Sequence, residues 1–268
     1  MKKLFPLTLI IIFSAGFFTS CKKDKGEPPV LPPQESMTID FSNFATQKKS
    51  ADLISDQKGT ENSNWEFAAT VAGVWNLLIT TTLAVPVTSF KLAVNQVPVY
   101  LDVKTWQWSY NVTVASVTYK ARLTGQIRAS DVLWKMYITK EGTGGFPEFL
   151  WFEGTSKLDG TGGQWILNES AQSQGALLQI DWTKTGTTIG IIKYTYVKND
   201  SFKNNYIEYG KTTDPLYDAY YKISFSNVRG TFVADVEWNT TTKNGRVKCV
   251  DYLGDNNWYL WDANYINI

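Results

Sequence analysis

Residues 177–197, LLQIDWTKTGTTIGIIKYTYV, contain the pattern that decides the fold of this chain. The apolar residues Leu178, Ile180 and Trp182 alternate with polar ones, and this period of two is typical of a β-strand with one buried and one solvent-exposed face. The turn sequence KTGT (184–187) separates this run from a second apolar-rich run. Such spacing predicts a β-hairpin of two antiparallel strands.

The same alternation recurs along most of the chain from about Tyr100 to the C-terminus. It is present in residues 100–106, 115–123, 134–138 and 232–238. Glycine-containing turn sequences separate the runs at 142–145, 159–163 and 242–245. No strand–helix–strand rhythm is visible, and residues 232–252 are similar to the hairpin of 177–197. These observations predict a mainly β domain in which a single antiparallel meander forms a curved sheet or half-barrel.

Residues 67–90, FAATVAGVWNLLITTTLAVPVTSF, carry no charge and precede the strands. Apolar residues recur here at spacings of three and four, which favours a buried helix. They are Phe67, Val71, Val74, Trp75 and Leu78. Pro86 is expected to end this helix and to start a second short one, so we expect one or two N-terminal helices packed on or in the sheet. A pair of strands is the alternative, because valine, isoleucine and threonine are abundant.

The composition excludes several classes of function. The chain has 268 residues, and its 26 basic residues face 25 acidic ones, so no basic excess is present to neutralise nucleic-acid phosphates. Histidine is absent, which excludes Ser-His-Asp and Cys-His catalysis and histidine-ligated zinc. Neither a glycine-rich phosphate loop nor an acidic calcium loop occurs. We therefore expect no nucleic-acid partner, no metal and no other cofactor.

The first 20 residues, MKKLFPLTLIIIFSAGFFTS, have the order of a secretory signal peptide. Two lysines are followed by an apolar stretch, and the small residues Thr19 and Ser20 then lead into Cys21. The apolar stretch is shorter than the ~20 residues that a membrane-spanning helix needs. The order therefore predicts export and cleavage.

Small residues followed by Cys21 resemble the lipid-attachment site of bacterial lipoproteins, and the string SCKKD (20–24) is similar to those of Bacteroidota. The resemblance implies a cell-envelope lipoprotein that Cys21-linked acyl chains hold in a lipid bilayer, with the outer membrane favoured. A periplasm-facing and a surface-exposed position both stay open. Residues 21–40 are then a lipidated, proline-rich tether, and residues 41–268 form a single β-rich globular domain.

With Cys21 lipidated, Cys249 is the only other cysteine, and the mature chain has no intrachain disulfide. Cys249 alternates with Val247 and is expected to be a small buried residue. The domain must then be stabilised by its core alone, for which a hydrophobic fraction of 43% is ample.

Two sets of residues are candidates for ligand contact. The first set shares strand faces and would form flat aromatic platforms, although such rings equally fill cores. Its members are Trp106, Trp108, Tyr259 and Trp261. The second set is expected on the inward face, where it would line a cavity. Its members are Trp134, Met136, Ile180, Trp182, Val236 and Trp238.

A helix followed by a long antiparallel meander loosely resembles the half-barrels of LolA-type lipoprotein carriers and of lipocalins. The resemblance implies a non-catalytic domain that binds an apolar or lipid-like ligand on its concave face, as a carrier or chaperone does. The alternative is a surface-exposed lipoprotein that binds a glycan or an envelope protein through exposed tryptophans and tyrosines.

A carboxylate-dependent hydrolase is the least favoured alternative. Asp181, Glu237 and Asp262 neighbour tryptophans, but glycoside hydrolysis needs two carboxyl groups about 5–9.5 Å apart across one bond. The alternation places Asp181 and Glu237 on the face opposite Trp182 and Trp238, towards solvent. We therefore expect no enzymatic activity.

Overall fold

The computed structural model describes residues 25–44 and 63–268, and its main feature is one antiparallel sheet of 13 strands. The strands are β1 (Val99–Tyr100), β2 (Thr105–Val114), β3 (Val117–Ile127), β4 (Asp131–Lys140), β5 (Phe146–Lys157), β6 (Gly162–Asn168), β7 (Ala176–Thr185), β8 (Thr188–Tyr196), β9 (Tyr206–Lys211), β10 (Ala219–Asn227), β11 (Gly230–Trp238), β12 (Gly245–Lys248) and β13 (Tyr259–Trp261). They lie side by side in sequence order, so β1 and β13 are the two edges and the sheet is not closed. The predicted antiparallel meander is confirmed. The signal peptide and Cys21 lie outside the described residues.

The hairpin predicted from residues 177–197 is present as β7 and β8. Gly186 in its turn has a φ of 62°, a left-handed conformation that glycine adopts without strain. The similar segment 232–252 forms β11 and β12, followed by the short helix α2 (Val250–Leu253). Both hairpins therefore follow from their alternation and turn residues.

The uncharged segment forms one helix, α1 (Ser63–Ala93), which confirms the helical interpretation. The expected break at Pro86 is wrong, because α1 continues through this residue. A proline inside a helix costs about 3 kcal/mol. Leu83 and Phe90 on either side of it are buried, and burial of a leucine or phenylalanine side chain contributes about 1.5–3 kcal/mol. Packing therefore outweighs the local preference.

Helix α1 lies on the concave face of the sheet. It contacts β2 and β3 near one edge and β10 to β13 near the other, so the sheet curves around it. The Tyr110 hydroxyl of β2 donates a hydrogen bond to the backbone oxygen of Ser89 at 2.6 Å. Near the other end of α1, the Asn64 side chain donates to the backbone oxygen of Leu260 in β13 at 2.8 Å. The helix therefore bridges the two sides of an open sheet.

Among the described residues, α1 is also the one helix long and apolar enough to cross a membrane, with a mean hydropathy of 1.6 in its most apolar window. Length and composition are weak evidence for a membrane-spanning helix, because a buried core helix has the same properties. The buried positions of α1 share one apolar core with the strands. In this fold α1 acts as a core helix.

The segment of residues 25–44 also packs on the concave face. It contains two short 3₁₀ helices, η1 (Gln34–Met37) and η2 (Ser42–Phe44). Met37 is fully buried, and the ring of Phe44 meets that of Trp238 edge-on, with 4.9 Å between the ring centres. The segment and α1 together cover the concave face.

The expected tether, residues 21–40, is corrected in its second half. Pro29 and Pro32 are buried, and Trp165 donates a hydrogen bond from Nε1 to Oγ of Ser36 at 3.2 Å. A proline-rich stretch stays extended without internal hydrogen bonds, so it can lie along a complementary surface at little cost in conformational entropy. The packed domain therefore begins at about residue 29, and residues 29–44, which we call the N-terminal strap, belong to it.

Large rings on the concave face lie over glycines of the neighbouring strand. The register pairs are Gly125 with Trp134, Gly154 with Trp165, Gly163 with Trp182 and Gly245 with Trp261. A Cβ atom added at any of these glycines would come within 2.3–2.8 Å of a ring atom. Each ring can therefore occupy its position only because the facing glycine has no side chain.

We predict that Gly154→Ala lowers the free energy of unfolding by about 1–3 kcal/mol, the usual cost of overpacking a core. The added Cβ would lie 2.1 Å from the backbone oxygen of Gln164 and 2.5 Å from the Trp165 ring. Urea unfolding followed by tryptophan fluorescence measures the effect.

The matched control is Gly73→Ala in α1, where the new Cβ has no atom within 4 Å besides those of the adjacent residues and the helix backbone. Alanine is the better helix former, so the control should gain about 0.5–1 kcal/mol. Equal effects of the two substitutions would contradict the packing argument.

Candidate binding groove on the outer face

The outer face of the sheet carries a row of charges that alternate in sign from strand to strand, which we call the charge row. Its members occupy facing positions on β7 to β12 and are Asp181, Lys193, Glu208, Lys222, Asp235 and Lys248. Opposite charges at facing positions stabilise a sheet by about 0.2–1 kcal/mol per pair, and like charges destabilise it. The charge row therefore favours this register over a slipped one.

One end of the charge row lies in a surface groove with a volume of about 560 Å³, which we call the groove. It is bordered by residues of β4 to β9, among them Thr155, Gln164, Asp181, Thr183, Lys193 and Glu208. The volume falls within the range of about 300–1,000 Å³ that is common for small-ligand sites. The groove is therefore large enough for a small ligand. These six side chains supply polar groups, while most of its exposed lining area is apolar.

Asp181 is held in one orientation by two glutamines. Gln164 donates from Nε2 to Oδ1 of Asp181, and Gln179 donates from Nε2 to Oδ2, both at 2.7 Å. An ionised carboxylate has roughly four acceptor positions. The two amides therefore position the carboxylate and leave acceptor capacity for a ligand hydroxyl.

Lys193 lies opposite Asp181 and supplies hydrogen-bond donors to the groove. Its Nζ is 4.2 Å from the centre of the Tyr206 ring, whose negative face attracts the ammonium. No carboxylate oxygen of the described residues comes within 4.0 Å of this Nζ. Since a lysine ammonium has three donors, Lys193 can donate to a ligand oxygen.

Glu208 closes one side of the groove and accepts a hydrogen bond from the Tyr220 hydroxyl at 2.9 Å. Burial, followed by this hydrogen bond, raises the pKa of Tyr220 to about 12. The phenol therefore stays protonated at neutral pH and remains a donor to Glu208. Acceptors and donors thus alternate along the groove from Asp181 to Lys193 to Glu208.

The six residues expected to line a cavity are all buried. Trp134, Met136, Ile180, Trp182, Val236 and Trp238 belong to the core that the strands share with α1. Their inward orientation is confirmed. The concave side that they face is covered by α1 and the N-terminal strap, so an apolar ligand would have to displace one of these elements. Their role as a cavity lining stays a prediction.

The expected aromatic platform on the surface is corrected at three of its four positions. Trp106, Trp108 and Trp261 are buried in the core. Tyr259 is half-buried, and its hydroxyl donates to Oδ2 of Asp255 at 2.7 Å. Alternation shows which residues share a face, but it does not show whether a helix covers that face. The core-filling interpretation of the three tryptophans is the one that the structure shows.

Trp258 is an outer-face aromatic residue that the sequence reasoning missed. Its half-buried ring is approached by the Arg246 guanidinium at 4.4 Å and by Nζ of Lys248 at 4.7 Å, both measured to the ring centre. Trp258 precedes the three-residue strand β13. A strand of this length carries too little alternation to be assigned to a face, so no signal in the sequence marks Trp258 as exposed.

The three acidic residues that suggested a hydrolase lie in different parts of the sheet. Glu237 accepts a hydrogen bond from Nε of Arg246 at 2.7 Å, and Asp262 accepts the backbone N–H of Ile266 at 3.0 Å. Asp181 and Glu237 are four strands apart, roughly 19 Å along the sheet, whereas glycoside hydrolysis needs ~5–9.5 Å. Within residues 25–44 and 63–268, no group of three or more Asp, Glu or Cys side chains is arranged to hold a metal ion.

Cys249 is buried in the core, as the alternation predicted. Burial is the main cause that raises the pKa of its thiol to about 11. The thiolate that reacts with electrophiles is therefore scarce at neutral pH, and the residue acts as a small apolar side chain.

Comparison with protein-family models, with curated proteins and with solved structures finds no match to this chain. The resemblance to LolA-type and lipocalin-like half-barrels therefore stays a prediction. An assignment of function has to be argued from the residues of this chain.

Proposed function

We propose that the protein is a lipoprotein of the cell envelope, anchored through Cys21, whose β domain binds a glycan in the groove without catalysing a reaction. The groove is the observation that carries this proposal, because it combines an oriented carboxylate, a lysine and hydroxyl-bearing side chains. The filled concave face is the reason to place glycan binding ahead of carriage of an apolar ligand.

A glycan suits the groove because sugar hydroxyls both donate and accept hydrogen bonds. Asp181 can accept from one hydroxyl while Lys193 donates to the oxygen of its neighbour, since the two side chains occupy facing positions on adjacent strands. Thr155 and Thr183 border the same groove and add hydroxyl groups that can do either. Their alternating donors and acceptors suit a hydroxyl-rich ligand, and the apolar part of the lining suits the apolar face of a sugar ring.

Anchoring at Cys21 rests on the signal-like order of the first 20 residues and on the cysteine directly after it. The described chain is consistent with this, because Lys25 and Glu27 are exposed and the chain therefore leaves the domain at its surface. Several acyl chains on one cysteine exceed the two-signal requirement for stable membrane binding.

We predict that Cys21→Ala moves the protein from the membrane fraction into the soluble fraction of the cell, because the acyl chains have no other attachment site. Immunoblots of fractionated cells measure the distribution. Cys249→Ala is the matched control and should stay in the membrane fraction, since Cys249 is buried in the domain. Unchanged detergent-dependent partitioning of Cys21→Ala would refute the anchor.

We predict that Asp181→Asn weakens glycan binding roughly 10- to 100-fold, because a hydrogen bond to a charged group contributes about 1.5–3 kcal/mol. An array of oligosaccharides and polysaccharides identifies the ligand, and calorimetric titration of the retained glycan measures the affinity. Asp235→Asn is the control, since Asp235 belongs to the same charge row but does not border the groove. No retention on the array, or equal losses in both variants, would overturn the proposal.

Carriage of an apolar ligand on the concave face is the second candidate function. One observation favours it: Trp182 Nε1, Tyr194 Oη and Trp238 Nε1 are buried without a hydrogen-bond partner in the described structure. Buried polar atoms are paired in the large majority of cases, so a ligand or an ordered water would satisfy them. Native mass spectrometry of the Cys21→Ala chain distinguishes the two functions, because a co-purified lipid would place the carrier first.

A further inference from the structure

Edge strand β1 and its flanks expose a continuous row of apolar side chains, which we call the apolar strip. It consists of Val97, Val99, Leu101 and Val103, whose exposed fractions are 88%, 63%, 47% and 72%. Val97, Val99 and Leu101 alternate along an extended segment, so they point to one side. Val103 lies at the tip of the turn that follows. Tyr100 between them turns towards the sheet, with its ring centre 5.1 Å from that of Trp106. The strip therefore faces away from the domain.

The turn after β1 presents a valine at its tip in a costly conformation. Thr105 donates its backbone N–H to the oxygen of Asp102 at 2.7 Å, which closes a tight turn. Val103 and Lys104 in this turn have φ values of 41° and 56°. Such left-handed turns favour Asn-Gly, and a β-branched residue there is a genuine outlier. An exposed valine is thus held at a place where neither burial nor turn chemistry favours it.

The described N-terminal chain meets the domain at the same edge strand, on the side of Tyr100. Nζ of Lys25 lies 5.6 Å from the centre of the Tyr100 ring, on strand β1. Cys21 is four residues upstream of Lys25. A chain of four residues spans at most about 14 Å when fully extended. Acyl chains on Cys21 would therefore enter the bilayer on the β1 side of the sheet, within the reach of four residues and the Lys25 side chain.

We propose that the apolar strip lies in the headgroup region of the same bilayer that holds the Cys21 acyl chains. This inference rests on the proposed anchoring and adds a second contact that sets the orientation of the domain. The occupant is a lipid surface, because the anchor brings that surface to β1. Lys104 directly follows Val103, and Lys25 lies over the Tyr100 ring on the same edge strand. Both suit anionic headgroups, since each basic residue contributes about 1 kcal/mol near such a surface.

The orientation has a consequence for the groove. β1 and β4 are three strands apart, about 14 Å along the sheet. The groove, which spans β4 to β9, therefore lies outside the edge that contacts lipid.

Fluorophore labelling of the full-length lipidated chain tests the proposal. Val103→Cys carries an environment-sensitive fluorophore, and the protein is reconstituted into vesicles of phosphatidylethanolamine and phosphatidylglycerol with or without brominated acyl chains. The buried Cys249 does not compete for the label, and Cys21 is consumed by its lipid. Val228→Cys is the matched control, since Val228 is fully exposed between β10 and β11. Successive turns of a meander alternate ends, so this turn lies at the opposite end of the sheet.

The proposal predicts a blue shift at position 103 and loss of roughly half its emission with brominated lipids, because interfacial side chains reach about 5–10 Å into the headgroup boundary. The label at 228 should change little. Val97→Cys repeats the measurement outside the strained turn, in case Val103→Cys disturbs it. Vesicle flotation is recorded in parallel.

Three outcomes would overturn the inference. If the chain floats with the vesicles but the label at 103 is quenched no more than that at 228, the anchor stands and the strip does not touch lipid. If the label at 103 shows a blue shift that grows with protein concentration, and brominated lipids do not quench it, the strip binds a second copy of the chain instead. If the chain does not float at all, the anchoring fails, and with it the bilayer contact.

Discussion

The fold depends on one constraint: an open sheet of 13 strands has a wide apolar concave face that must be covered. A barrel would cover this face by closing on itself, but β1 and β13 remain separate edges. Helix α1 takes over that function, because it contacts strands near both edges and is tied to them by Tyr110 and Asn64. The buried positions between 67 and 90 are uncharged for this reason, since a charged side chain there would have to be desolvated.

The tryptophan–glycine pairs explain how so many large rings fit between a helix and a sheet. Each ring lies over a strand position that has no side chain, so it occupies space that a Cβ would otherwise fill. A ring that covers a glycine also shields the exposed backbone there, which offsets the weak strand preference of glycine. Close packing of this kind is consistent with stabilisation of the domain by its core alone.

Local patterns in the sequence predicted the sheet well, because alternation indicates a strand with one solvent-exposed face and one buried face. These patterns could not show what covers the buried face. For this reason Trp106 and Trp108 could be a surface platform or a core, and the buried prolines of the strap were assigned to a free tether. The break predicted at Pro86 is wrong for the same reason. The free-energy cost of an internal proline can be read from the local sequence, whereas the burial of Leu83 and Phe90 depends on contacts with distant strands. The groove lies beyond prediction because Gln164, Asp181 and Lys193 come from three strands whose register no single stretch of sequence contains.

The two proposed surfaces complement each other physically. A lipid anchor alone would leave the domain to rotate about a short linker, and the groove would then face the bilayer for part of the time. Contact of the β1 edge with lipid removes much of this freedom before any glycan binds, so less orientational entropy is lost on binding. The charge row adds little long-range field, because its alternating signs cancel beyond about a Debye length of 8–10 Å. Recognition in the groove therefore has to come from short-range hydrogen bonds. Hydrogen bonds are directional, so they gain most when the orientation of the domain is fixed.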